Sequence, residues 1–149
     1  MSWQDKLRQV EPYVAGEQPK ISNMIKLNTN ENPYGPSDRV KEVLKEIDIE
    51  KLKLYPNSDG EELRHALADY HGLKDDQVFL GNGSDEVLAL TFLTFFNGKE
   101  PVLFPNISYS FYPVYCDLYQ MSYKEVLLDQ DFKINVEDFK QPNSGIIFP

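Results

Sequence analysis

Residues 77–97 read QVFLGNGSDEVLALTFLTFFN, and this stretch decides the fold. Val78, Phe79 and Leu80 make a short β-type run that meets Gly81-Asn82-Gly83 and then a long apolar segment, the order strand, tight turn, helix. Two glycines around an asparagine permit positive φ, and Gly83 or Ser84 can cap the helix that follows. The unpaired N–H groups of such a first turn, together with the positive end of the helix dipole, suit an anion. Residues 87–96 are apolar nearly all round, which predicts a helix buried in the body of the fold. Gly-Asn-Gly-Ser is equally ordinary turn-and-cap chemistry, and composition alone leaves both readings open. Asp85 and Glu86 favour the helix start by about 0.3–1 kcal/mol each, yet oppose a bound phosphate unless their carboxylates turn away. No Gly-Lys-Ser/Thr follows, and the third glycine of a dinucleotide fingerprint is missing, so nucleotide binding is not supported.

The chain has 149 residues, 41% hydrophobic and 26% charged, enough for one domain with a core of its own. Its formal charge of −9 and lack of a basic run argue against nucleic acid and anionic membrane as partners. Cys116 is the only cysteine, so no internal disulfide or cysteine metal cluster can form, and a reducing cytoplasm fits best. With only His65 and His71 present, a His-Glu-x-x-His zinc site is excluded, and no metal is expected. The N-terminal MSWQDKLRQV has no apolar signal core, and no apolar run reaches the length of a membrane span.

Taken in order, the chain starts with Ser2 as the cap of a short helix carrying Trp3, Leu7 and Val10 on one stripe, ended by Glu11-Pro12. So short a helix needs something to pack against, either the body of the protein or a second subunit. Residues 11–36 are rich in proline and glycine and read as an arm rather than a layer of core. A helix with one buried stripe, Val40, Val43, Leu44 and Ile47, is predicted over 37–47. Ser58 and Glu61 are spaced as a capping box for a second helix with Leu63, Ala66, Leu67 and Tyr70 inward and Gly72 as its left-handed cap. Further strands are predicted at 102–104, 121–128 and 145–148, with a helical pattern near 108–119 that Pro113 must delay or kink and a weak one at 136–140. Alternating strands and helices predict a parallel sheet with right-handed crossovers. Ligands bind beyond the carboxyl ends of such strands, where residues 81–84 and 105–109 both lie.

Four segments in one order, LNTNENPYGPS at 27–37, LYP at 54–56, GNGSDE at 81–86 and PNISY at 105–109, resemble those of the histidinol-phosphate aminotransferases. The resemblance covers the whole chain. It implies an α/β fold, the three-layer large domain of fold type I transferases with a mostly parallel sheet, and pyridoxal 5′-phosphate as cofactor. It implies homodimers whose active sites are shared between subunits. Residues 1–36 match the N-terminal arm and substrate-side strip, and 37–149 the first part of the cofactor-binding domain. Gly83, Ser84 and Asp85 match the turn that holds the cofactor phosphate, and Tyr109 the aromatic that stacks on the pyridine ring. Tyr55 matches a tyrosine that reaches the phosphate of the other subunit's cofactor. Tyr13 is similar to the arm tyrosine that closes over substrate, and Asn30, Glu31 and Asn32 lie in the strip beside it. In that family the strand before the phosphate turn lies at one side of the sheet, and the next three strands sit together at the other.

The family pattern continues past the strand ending at Pro149 into an Asn-Pro-x-x-Pro-Thr-Gly segment. It also holds a pyridine-pairing aspartate, a Schiff-base lysine and a carboxylate-binding arginine. None of these matches residues 1–149, so the expectation is a truncated first part with no catalytic residue of its own, inactive alone. The implied reaction belongs to histidine biosynthesis and converts L-histidinol phosphate and 2-oxoglutarate to imidazole acetol phosphate and L-glutamate. Threonine-phosphate decarboxylase or an aromatic aminotransferase is the alternative within the superfamily. A non-catalytic phosphate- or protein-binding α/β module is the alternative outside it.

Overall fold

A computed structural model describes residues 2–8, 10, 11, 13, 14, 16, 17 and 19–149. The chain divides into two units, Val14–Leu80 and Met1–Tyr13 with Gly81–Pro149. Pro12, expected to end the first helix, lies outside the described residues.

In the unit Val14–Leu80, helix α1 spans Asp38–Glu46 with Ser37 at its N-cap position. Its apolar stripe has the expected spacing but is not buried, since Val40, Val43, Leu44 and Ile47 are 45–58% exposed. Helix α2, Glu61–His71, ends as predicted on Gly72 in the left-handed region, with the Leu73 N–H donating to the Ala68 carbonyl at 2.8 Å. Its start departs from the expected capping box. The N-cap is Gly60 at φ +58 rather than Ser58, and a Cβ there would meet Leu80 Cδ1 at 2.8 Å, so contact with Leu80 selects glycine. The inward face also differs. Ala68 is buried and Leu67 half-buried, while Leu63, Ala66 and Tyr70 stand exposed; α2 packs against the 3-10 turn Asp75–Gln77. Residues 78–80 are extended, with Val78 at φ −117 and ψ 124, but form no ladder among the described residues. Three residues make a strand only when a neighbour takes up their N–H and C=O groups.

In the other unit, Ser2 and Asp5 form a capping box around the 3-10 turn Trp3–Lys6, and Arg8 donates to the Leu118 carbonyl. Trp3 itself is 69% exposed. Helix α3 spans Gly83–Phe95. Strand β1 is Val102–Pro105, helix α4 is Phe111–Tyr119, β2 is Tyr123–Val126 and β3 is Gly145–Ile146. The strands form one parallel sheet in the order β2-β1-β3, the grouping of these three that the family's strand order implies. The central strand β1 is buried along its whole length, as its unbroken apolar run requires. Pro113 delays the helix rather than kinking it, because it occupies the third position of α4, where no intrahelical N–H bond is due. The weak pattern at 136–140 is a 3-10 turn, Val136–Phe139.

The core of this unit joins Phe92 of α3, Val102 and Phe104 of β1, and Tyr112, Tyr115 and Cys116 of α4. Burial pushes the Cys116 thiol up to about 12, so it stays protonated at neutral pH. Helix α3 is not buried all round as expected. Phe92 is fully buried, but Leu90, Leu93 and Phe95 face outward at 38%, 44% and 72% exposure, with α4 packed on the opposite side.

Candidate functional site

Gly83 opens α3 at φ +79, a conformation that an L side chain adopts only under strain. Among the described residues, an added Cβ there would meet nothing within 4 Å beyond its chain neighbours and its own helix backbone, so it is the backbone conformation, and not crowding, that demands glycine. At Gly81 packing decides instead, since a Cβ would lie 2.8 Å from Val87 Cγ2. The Gly83 N–H is spent on the Gly81 carbonyl at 2.9 Å, which closes the turn. Among the described residues no acceptor reaches the backbone N–H of Ser84 or Asp85, and Ser84 Oγ has no partner either. These donors face the direction in which the helix dipole is positive.

Both first-turn carboxylates are turned away from those donors. Glu86 folds back to accept the Asn82 N–H at 2.6 Å. Asp85 Oδ1 accepts the Tyr109 hydroxyl at 2.6 Å. The Tyr115 hydroxyl lies 3.0 Å from the Asp85 carbonyl and 3.4 Å from Oδ1. The bond to Asp85 and partial burial raise Tyr109 to about 12. Tyr115 is raised further, first by burial and then by the Asp85 charge.

Tyr109 is positioned by the end of the sheet. Asn106 ties β1 to β2, donating its N–H to Val126 and accepting the Leu128 N–H on Oδ1, each at 2.9 Å. Ser108 Oγ donates to the Pro105 carbonyl at 2.7 Å and tightens the loop that leads to Tyr109. Tyr109 stacks on Phe111 with centroids 5.7 Å apart, and Tyr13 lies on the same Phe111 at 4.5 Å. One unit thus brings together Gly83, Ser84, Asp85, Tyr109 and Tyr13.

The remaining sequence-predicted residues belong to the unit Val14–Leu80. Tyr55 is 96% exposed. Asn30 follows Thr29 in a turn where both have positive φ. Asn32 Oδ1 accepts the Tyr34 N–H at 3.0 Å, and the Lys26 ammonium beside Glu31 holds its carboxyl below the usual range. Tyr115 and Glu86 are the residues sequence reasoning missed as organisers of the turn. The four-residue step from Asn82 to Glu86 is a readable signal, whereas nothing local in the sequence singles out Tyr115.

The pattern of aminotransferase class I and II matches residues 22–146. The chain belongs to the aminotransferase class I and II family. It is 57% identical over 147 residues to the histidinol-phosphate aminotransferase of Lactococcus lactis subsp. cremoris. It is 52% identical to the proteins of that name from Lactococcus lactis subsp. lactis and Pseudomonas putida. Each alignment takes in 99% of this chain, which spans 41–42% of the length of those relatives. The α/β architecture, a small parallel sheet with helices, is the one expected for the family. Among the described residues no helix is long and apolar enough to cross a membrane.

The turn fits a phosphate-bearing cofactor. Among the described residues it offers two unpaired backbone N–H groups, a hydroxyl without a partner, open space at Gly83, and first-turn carboxylates engaged elsewhere.

Proposed function

We propose that this chain contributes the cofactor-phosphate turn and the ring-stacking tyrosine of a pyridoxal-phosphate-dependent histidinol-phosphate aminotransferase. The observation that carries the reading is the start of α3, where the Ser84 and Asp85 donors are open and Tyr109 is tied to the same turn. The names of relatives more than half identical support the substrate assignment.

In this reading Ser84 Oγ and the N–H groups of Ser84 and Asp85 hold the phosphate, and Gly83 supplies the backbone conformation that aims them. Tyr109 offers its ring face to the cofactor while its hydroxyl stays on Asp85. Tyr13, in contact with Phe111, covers the substrate side, and Asn30, Glu31 and Asn32 line the strip beside it. Tyr55 reaches across to the cofactor phosphate of a second subunit, which makes the working form a homodimer. Residues 1–36 serve as arm and strip, and 37–149 begin the cofactor domain. Bound pyridoxal phosphate supplies an electron-withdrawing ring that stabilises negative charge developing at the substrate carbon. The imine-forming lysine and the carboxylate-binding arginine are assigned to no residue of 1–149. The acidic, cysteine-poor composition suits a cytoplasmic biosynthetic enzyme.

The test is turnover by the protein whose reading frame contains these residues. With L-histidinol phosphate and 2-oxoglutarate it should release L-glutamate and imidazole acetol phosphate. Preferred decarboxylation of phosphothreonine, or preferred transamination of aromatic amino acids, would replace this assignment with the superfamily alternative. Loss of all turnover in the presence of cofactor would favour a binding module.

A further inference from the structure

Tyr115 sits in the middle of α4 with its ring in the aromatic core, 5.2 Å from Phe92 and 5.4 Å from Phe111 between centroids, and is only 4% exposed. Its hydroxyl nevertheless leaves the core at the first turn of α3, 3.0 Å from the Asp85 carbonyl and 3.4 Å from Asp85 Oδ1. A buried ring fixed by neighbours on two elements makes a rigid post, and a hydroxyl at its tip has one proton to share between those two acceptors. The Tyr109 hydroxyl meets the same Oδ1 at 2.6 Å from the other side.

We propose that Tyr115 is a positioning residue for the phosphate turn, clamping Asp85 together with the Tyr109 hydroxyl so that its carboxylate stays off the Ser84 and Asp85 N–H donors. The inference rests on the phosphate-turn reading above. A carboxylate at the third position of a helix stands beside the first-turn N–H groups and, unless held elsewhere, acts on them as an internal anion. Glu86 does this one position on, at Asn82. With the Asn82 N–H already taken, an Asp85 carboxylate released from its two phenols would lie beside the Ser84 and Asp85 donors and oppose a second anion there. Two phenols hold it away, and by donating to it they disperse charge that would repel the incoming phosphate. The function of Tyr115 is therefore to keep an internal competitor out of the site, without touching the cofactor itself.

The experiment titrates the full chain with inorganic phosphate by calorimetry and follows urea unfolding in parallel. Tyr115→Phe keeps the ring and removes the hydroxyl. It should weaken phosphate about three- to tenfold, the size of one ordinary hydrogen bond, because the lost bond acts on the site only through Asp85. The same substitution in an Asp85→Asn background, where no internal anion exists, should change phosphate affinity less than about twofold. Tyr109→Phe, whose ring is only half-buried, gives the same comparison should Tyr115→Phe fold poorly. Equal weakening by Tyr115→Phe with and without the Asp85 charge would mean that Tyr115 acts through packing or the Asp85 carbonyl and not on the carboxylate, and would overturn the proposal. So would unchanged affinity in both phenylalanine variants while Gly83→Val still weakens binding. Phosphate that binds Gly83→Val as well as the parent chain would instead refute the phosphate-turn reading, and the clamp with it.

Discussion

Gly83→Val separates the conformation of the phosphate turn from its packing. At φ +79 the backbone lies where a Cβ costs about 1–2 kcal/mol, and β-branching adds to this. Among the described residues, no atom beyond its chain neighbours and the backbone of its own helix lies within 4 Å of the Cβ position, so no packing clash at Cβ accompanies the strain. If the chain relieves the strain by rotating Gly83 to negative φ, the Ser84 and Asp85 N–H groups lose their aim. One hydrogen bond to a charged group is worth about 1.5–3 kcal/mol, which corresponds to a rise of roughly 10- to 150-fold in the phosphate dissociation constant. Helix content should barely change, because α3 runs on through Phe95 with its bonds intact. Calorimetric titration with inorganic phosphate, paired with far-ultraviolet circular dichroism, reads both effects. Gly83→Asn should fall between the two, since asparagine tolerates the left-handed region. Unaltered phosphate affinity in Gly83→Val would place the anion elsewhere. Loss of helix in proportion to loss of binding would show that the glycine serves stability and not the site.

Phe92→Ala should cost about 3–5 kcal/mol in urea unfolding, because a fully buried ring in contact with Phe96, Tyr112 and Tyr115 leaves a cavity in the aromatic core. Tyr109 should titrate near 12 in the folded chain, followed by tyrosinate absorbance, and Asp85→Asn should return it toward 10.0. Its folded pKa lies above the unfolded one, so the fold holds a proton that the unfolded chain releases. The stability from this bond is complete below about pH 10 and is lost as pH rises through about 12, which alkaline unfolding of the parent and Asp85→Asn chains compares. The open stripe Val40, Val43, Leu44 and Ile47 should drive self-association of the 149-residue chain, and Val43→Glu should reduce it. Sedimentation equilibrium across a wide concentration range decides this, a compact monomer at low micromolar concentration being the contrary result.

Local chemistry was legible wherever a residue's job involves its own neighbours. Gly72 ends α2 and Gly83 opens α3 in the left-handed conformations that the sequence suggests, because the reason for glycine lies in the backbone itself. Pro113 was legible in the same way. The Ser58 capping box failed because a distant partner, Leu80, selects the conformation of Gly60 and moves the helix start past it. Residues 78–80 have strand composition but no ladder, since composition supplies propensity and not a partner. Within the site, Gly83 and Ser84 could be read from the turn, and Tyr109 only through the resemblance. Tyr115 could not be read at all, for its hydroxyl serves Asp85, 30 residues earlier in the chain, and only packing reveals which tyrosine of α4 points there.

The most direct test is an amide-resolved magnetic resonance titration of the chain with pyridoxine 5′-phosphate, which carries the ring and phosphate of the cofactor but no aldehyde to label surface lysines. The expected result is saturable movement of the Ser84 and Asp85 amides and of the Tyr109 ring, larger than at any other site in residues 81–149 and reversed by excess inorganic phosphate. Movement centred on other residues, with the amides at the start of α3 unchanged at saturation, would contradict the assignment of this turn as the cofactor-phosphate site.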